Sequence, residues 1–166
     1  MDKISPSQWG PHLWNIIHTA SLRIGYGGRG EARLFTSLVS ILPGALPCHA
    51  CQKHAGEYLR RADIVQRVGR WQSLQGDALR AEIVHFFWEF HNHVNMVAKE
   101  TPTKFYELES LMTKYTADEM RRGIKGDFTG FMRALSTAAY YKIVSPGYSS
   151  RMKATVEKMV QLILHG

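Results

Sequence analysis

Residues 77–99, DALRAEIVHFFWEFHNHVNMVAK, are the most regular helical segment of the chain, and the reading of their polar stripe decides the fold. Asp77 opens the segment as a first-turn acid. Helical winding then sets Trp88, His91, Asn92, Asn95 and Lys99 on one stripe, at i, i+3, i+4, i+7 and i+11. Such a stripe is unusually polar for a face that packs on a core. Burying an imidazole and two carboxamides costs free energy unless each finds a partner. The stripe therefore needs either a polar ligand lying against it or a closed internal hydrogen-bond network, and both readings stand at this point.

Outward from that helix the chain reads as helical almost throughout. Ser5-Pro6-Ser7-Gln8 has the form of a helix start, with Ser5 as cap, Pro6 in the first turn and Gln8 reaching back, and the pattern runs to about Ile24. Gly25 to Gly30 ends it. A second helix fits Glu31 to Leu42, with Leu34, Phe35, Leu38 and Leu42 on one stripe and Pro43-Gly44 as its stop. Cys48 to about Arg61 makes a third, and the mixed stretch from Ala62 to Gly76 has room for a short one. From Thr103 to Gly166 the helical periods continue. Gly123, Gly126 and Gly130 divide this tail into two or three shorter helices, with a capping-box pattern at Thr116-Ala117-Asp118-Glu119 and a last amphipathic run from Ser150 to Leu164. Strand alternation with hairpin turns is absent, which disfavours a thioredoxin-like βαβ architecture. The expected fold is all-α: four core helices around a cofactor cleft within residues 1–102, and a C-terminal helical extension, 103–166, packed on that core or at an interface.

With 166 residues, 45% of them hydrophobic, the chain fits one domain with a core that needs no cross-links. Only two cysteines occur, so no disulfide framework can be built. No secretory pattern opens the sequence and no run of about eighteen apolar residues appears. The expectation is a cytoplasmic protein, neither secreted nor in a membrane, in a compartment where a Cys-X-X-Cys is more often a working site than a staple. The net charge of +7 suits an acidic partner or an anionic cofactor. Basic residues cluster at Arg60-Arg61, Arg67 to Arg70 and Arg121 to Lys125, but without the interleaved aromatics of an RNA-binding sheet. Solvated helix faces are the preferred reading, and nucleic acid is not expected as a partner.

The chemistry lies in Pro47-Cys48-His49-Ala50-Cys51. Two thiols three residues apart can close into a disulfide and reopen, Pro47 is placed to begin a helix there, and a helix N-terminus favours the thiolate needed for exchange. Zinc is the competitor. Cys48 and Cys51 with His54, or with His91 and His93, would supply nitrogen and sulfur ligands, although the spacing is unlike common fingers and no metal site is expected. Upstream, Trp14 and His18 are four residues apart and share a helix face. An indole beside an imidazole can form a stacking platform for a purine or flavin ring, or simply be part of a core.

The run Trp9-Gly10-Pro11-His12-Leu13-Trp14 with Ile17-His18-Thr19, then Leu46-Pro47-Cys48-His49-Ala50-Cys51, then Trp88 and His91-Asn92-His93-Val94-Asn95, resembles the Erv/ALR family of FAD-linked sulfhydryl oxidases, particularly its compact members in large DNA viruses. The resemblance covers roughly residues 6 to 102. It implies a helical bundle enclosing FAD, usually as a homodimer, in the host cytoplasm or the virion if the protein is viral. It further implies that Cys51 lies against the isoalloxazine ring as the charge-transfer thiolate while Cys48 faces solvent and exchanges with the incoming dithiol. Gly10, Trp14 and His18 resemble the first FAD-contacting segment. Trp88, His91, Asn92, Val94, Asn95 and Lys99 fall on the second. The implied activity is oxidation of dithiols in substrate proteins, or in a separate shuttle protein, with electrons passing through flavin to oxygen and hydrogen peroxide released. Three positions depart from the family pattern: Leu46 stands where an aromatic is common, Pro11 follows Gly10 in place of arginine, and Lys99 is separated from Pro102 by two residues. The rival readings are a zinc-stabilised helical interaction module and a flavin-free dithiol carrier.

Overall fold

The computed structural model of the protein describes residues 4–27, 29–61, 63–98 and 106–165. Among these, nine α-helices and one π-helical turn follow each other with no strand, so the fold is all-α. The expectations for Lys99 and for a boundary at Pro102 lie outside the described residues.

Helix α1, Pro6–Ser21, starts as its sequence dictates. Ser5 is extended, its hydroxyl accepts from the Ser7 amide, and the Gln8 side chain accepts from the Ser5 amide at 2.9 Å. This satisfies donors that the first turn leaves unpaired. The helix stops at Ser21, three residues before Ile24, and the chain turns at Gly25 with φ +106°. A Cβ there would sit 2.7 Å from the Gly76 carbonyl oxygen, so only glycine permits the loop to lie on the start of α5, Gly76–His93.

Helix α2, Arg29–Ala45, does not stop at Pro43-Gly44 but runs through both. The proline sits in the last turn, where it removes one intrahelical bond, and burial of Ile41, Leu42 and Ala45 beside it outweighs that loss. Helix α3 is His49–Arg61 and α4 is Ile64–Trp71. After α5 the winding widens into a π turn, Val94–Ala98, in place of the continuous α-helix expected to Lys99. This turn packs against α3, a tertiary contact with no signature in local periodicity.

The C-terminal region holds four described helices, not two or three: α6, Leu108–Thr116; α7, Asp118–Arg122; α8, Ile124–Tyr140; and α9, Pro146–His165. Gly126 and Gly130 lie inside α8, since about 1 kcal/mol per helical glycine is small against burying Ile124, Phe131 and Leu135. Thr116 makes no capping box. Its hydroxyl donates back to the carbonyls of Met112 and Thr113, and Ala117 takes the cap position of α7. Helix α9 begins four residues before Ser150, at Pro146, which suits a first helical position.

Helix α1 packs on α8, α9 and α5, while α2 packs on α9 and α3. One apolar cluster joins Leu13, Phe35, Leu38, Phe86 and Phe87 to Phe131, Met152, Val156 and Ile163, so the C-terminal helices share the core of the first hundred residues. No described helix is long and apolar enough to cross a membrane.

Candidate active site: a capped dithiol and a stack of rings

Cys48 is the N-cap of α3. Its carbonyl accepts from the Gln52 amide at 3.0 Å and its sulfur accepts from the Cys51 amide at 3.2 Å. The sulfur thus takes the place of a serine or aspartate oxygen at a helix start. Pro47 therefore precedes the cap and does not begin the helix, contrary to the sequence expectation. No disulfide joins the two cysteines. Cys48 is 6% exposed and Cys51 is half-buried, so the expectation that Cys48 faces solvent is not met. Capping is the physical reason: the Cys48 sulfur is turned inward onto the helix and the core. Gln52 ties the loop down, its Nε2 donating to the carbonyls of Leu46 at 2.8 Å and Ile143 at 3.0 Å.

Along α3, Cys51, His54 and Tyr58 fall on one side, at i, i+3 and i+7. The Tyr58 ring stacks on Phe90 at 4.6 Å and meets His93 at 4.7 Å. The face of α3 that bears Cys51 therefore turns to the end of α5 and the π turn. Burial lowers the His93 pKa, and the nearby Arg61 guanidinium and His54 ring lower it further. Burial, with Glu89 close by and Arg67 opposing, pushes the Tyr58 pKa up to about 12.

On the other side of α5 lies a three-ring stack. Trp14 is parallel to His91 at 4.1 Å and 6°, and to His18 at 5.2 Å and 17°. Phe90 meets the Trp14 edge at 5.9 Å, linking the stack to Tyr58 and so to the dithiol helix. His18 Nε2 and His91 Nδ1 are 2.8 Å apart, so one donates to the other. His18 is fully buried, and its Nδ1 has no partner. Burial drives its pKa well below 6.5, assisted by His91 and Lys114. A neutral His18 carrying its proton on Nε2 donates to His91 and leaves Nδ1 as a bare acceptor. The other tautomer would bury an unpaired N–H, which is the costlier state.

Gly10, Trp14 and His18 stand at four-residue steps on one face of α1, and nothing lies within 4 Å of where a Gly10 Cβ would be. Asn95 is buried in the π turn and Val94 is half-buried against the core. Trp88 and Asn92, expected to meet a ligand, also have partners within the chain. Trp88 Nε1 donates to the Tyr106 carbonyl at 2.6 Å, Asn92 Nδ2 donates to the same oxygen at 3.0 Å, and Asn92 Oδ1 accepts from the Tyr106 amide at 2.8 Å. This network holds the approach to α6.

That approach brings in residues the sequence reading missed. Tyr115 lies 4.7 Å from the His18 ring and Tyr106 lies 5.3 Å from His91. The Lys114 ammonium sits over Tyr115 at 5.1 Å and over Tyr106 at 5.7 Å. Burial, with Tyr106 and Asp127 nearby, raises the Tyr115 pKa, keeping its hydroxyl protonated. Tyr115 has the helical phase of an ordinary core aromatic, and Tyr106 and Lys114 carry no mark in the sequence. Among the described residues, no group of three or more His, Cys, Asp or Glu side chains is placed to hold a metal ion, so the cysteine-histidine set weighed for zinc does not converge.

A protein of Invertebrate iridescent virus 3 named "Putative FAD-linked sulfhydryl oxidase 096R" is 34% identical over 95 residues. The match takes in 55% of this chain and 57% of that protein, so the chain spans little more than half the length of its curated relative. No solved structure matches at a significant level. The model of the Erv1 / Alr family matches residues 11–116, from within α1 to the end of α6. That span holds both the capped dithiol and the ring stack, and on it the chain belongs to the Erv1/Alr family.

Proposed function

We propose that this protein is an FAD-linked thiol oxidase that makes disulfides in substrate proteins, with Cys48 and Cys51 as its redox pair. The observation that carries the reading is the placement of the dithiol: the α3 face bearing Cys51 turns to the end of α5, whose His91 completes the ring stack with Trp14 and His18.

The residues present fit a flavin nucleotide. The orphaned, fully buried His18 Nδ1 is a polar atom awaiting a donor, and the bare surface at Gly10 is a space that a side chain would fill. Gly10, Trp14, His18, His91, Val94, Asn95 and Cys51 would hold the group. Trp88 and Asn92 act through Tyr106 by fixing the segment that leads to α6. Bound FAD supplies a two-electron acceptor that oxygen restores, with release of hydrogen peroxide.

The remaining chemistry belongs to the chain. With the pair as a disulfide, a substrate thiolate attacks the Cys48 sulfur, forming a mixed disulfide and leaving Cys51 as a thiolate. A second substrate thiolate attacks the substrate sulfur of that mixed bond, releasing the substrate disulfide and leaving Cys48 as a thiolate. The pair then carries two electrons. The Cys51 amide holds the Cys48 sulfur at the helix start, and Cys51 itself stands on the side of α3 that turns to the end of α5.

Absorption spectroscopy tests the reading. Purified protein should show visible flavin bands that bleach on anaerobic addition of dithiothreitol and return with air. Cys51→Ser should keep its flavin and lose at least about 100-fold in oxygen uptake, about 2.7 kcal/mol in the barrier. A colourless protein, or an unchanged rate in Cys51→Ser, would overturn the proposal. Disulfide exchange without oxygen uptake would identify a flavin-free carrier instead.

A further inference from the structure

Beside the dithiol lies a cavity of about 600 Å³ that the redox chemistry does not use. Its near wall is Gly44 at the end of α2 and Gln52, the residue after Cys51. Its far wall is the corner between α8 and α9, with Tyr140, Lys142, Ile143 and Tyr148. Gln52 bridges the two walls through the carbonyls of Leu46 and Ile143, which ties the corner to the dithiol loop. The Tyr148 ring lies so close on Gly44 that a Cβ there would fall 2.6 Å from it.

Tyr140 is 80% exposed, and Tyr141 and Tyr148 are also exposed, although tyrosine rings gain by burial and are enriched where proteins meet. No carboxylate is among the residues lining the cavity, Lys142 lines its rim, and the Arg151 guanidinium stands 5.5 Å over the Tyr148 ring. The corner at residues 139–148 also lies beyond the span, 11–116, that the family model matches. Cys48, meanwhile, is only 6% exposed. A thiolate on a large substrate reaches that sulfur only if the segment carrying it is held against a neighbouring surface.

We propose that this groove docks the polypeptide substrate. An extended segment flanking the substrate's dithiol lies along it, sets an apolar or aromatic side chain against Tyr140 and Tyr148, and sets an acidic side chain against Lys142 and Arg151. The inference rests on the thiol-oxidase reading and deepens it by naming the substrate class: reduced polypeptide with aromatic and acidic neighbours to its cysteines. A small dithiol needs no such groove.

The test compares oxygen uptake by the flavin-loaded full chain with two substrates, dithiothreitol and a synthetic peptide whose Cys-X-X-Cys is flanked by tryptophan and two aspartates. Tyr140→Ala and Lys142→Glu change exposed side chains and should leave flavin content and dithiothreitol kinetics unchanged. Each should raise KM for the peptide about tenfold with kcat held, about 1.4 kcal/mol of docking. A second peptide with lysines for the aspartates should reverse the ranking, favouring Lys142→Glu over the unaltered protein. Peptide KM values within about twofold in both variants, while the unaltered protein oxidises both substrates, would overturn the groove and leave the oxidase reading standing. Failure of the unaltered protein to oxidise either dithiol would overturn the oxidase reading and the groove's role with it.

Discussion

Two histidine clusters sit on α1, less than two turns apart, and they are built on opposite terms. At His12, the ring Nδ1 lies 2.8 Å from Asp127 Oδ1 of α8, and Asn15 Nδ2 donates to the same oxygen at 3.1 Å. That cluster closes on itself and joins α1 to α8. At His18, the ring is bonded to His91, stacked beside Trp14 and buried with its second nitrogen unmatched. An incomplete polar group in a packed interior costs about 1–3 kcal/mol, and a fold keeps it where something else completes it. The closed cluster is a structural joint; the open one is where our proposal puts the cofactor.

The contrast breaks most sharply on flavin content. His18→Leu should lose at least about tenfold in bound flavin after desalting, with helicity by circular dichroism retained, whereas Asp127→Ala should keep its flavin. Equal flavin loss in both would erase the distinction. Stability should show the reverse. Asp127→Ala removes the acceptor shared by His12 and Asn15 and should lower the unfolding free energy by about 1 kcal/mol in urea titrations, since the His12 side chain is 37% exposed and water replaces part of what is lost.

Acidification sharpens the same comparison by a smaller effect. Folded His18 has a pKa well below 6.5, while the unfolded chain takes up that proton near 6.5. The unfolded state then binds more protons, so stability is full above about pH 6.5 and falls as pH drops through it, by at most about 1.4 kcal/mol per pH unit for this one proton. His93, also lowered by burial, adds a contribution of the same sign. Urea unfolding at several pH values should show this slope, and His18→Leu should flatten it. The smallest effect belongs to Lys114, whose exposed ammonium lies over Tyr106 and Tyr115 near the ring stack. Lys114→Ala should weaken binding of an anionic flavin nucleotide by about threefold in fluorescence titrations, and more at low salt than at high.

What the sequence revealed was local chemistry. The Ser5–Gln8 start was readable because all its parts lie within one turn, and the Cys-X-X-Cys because two thiols three apart have few ordinary uses. Pro43, Gly126 and Gly130 misled because a residue's helix propensity is worth about 1 kcal/mol and burial in the shared core is worth more. The polar stripe on α5 named residues that are indeed polar and mostly buried, but not their partners. Trp88 and Asn92 are answered by the backbone of Tyr106, whose amide and carbonyl carry no mark in a sequence. The corner at Ile143 was invisible for the same reason, since its hold on Gln52 is a carbonyl oxygen brought in from 91 residues away.

The π turn has a consequence for the length of the chain there. A turn of this kind holds one more residue than α winding needs over the same rise, so Val94–Ala98 takes up that residue within the turn itself. Deleting Met96, half-exposed within it, would return the segment to ordinary winding over the same rise.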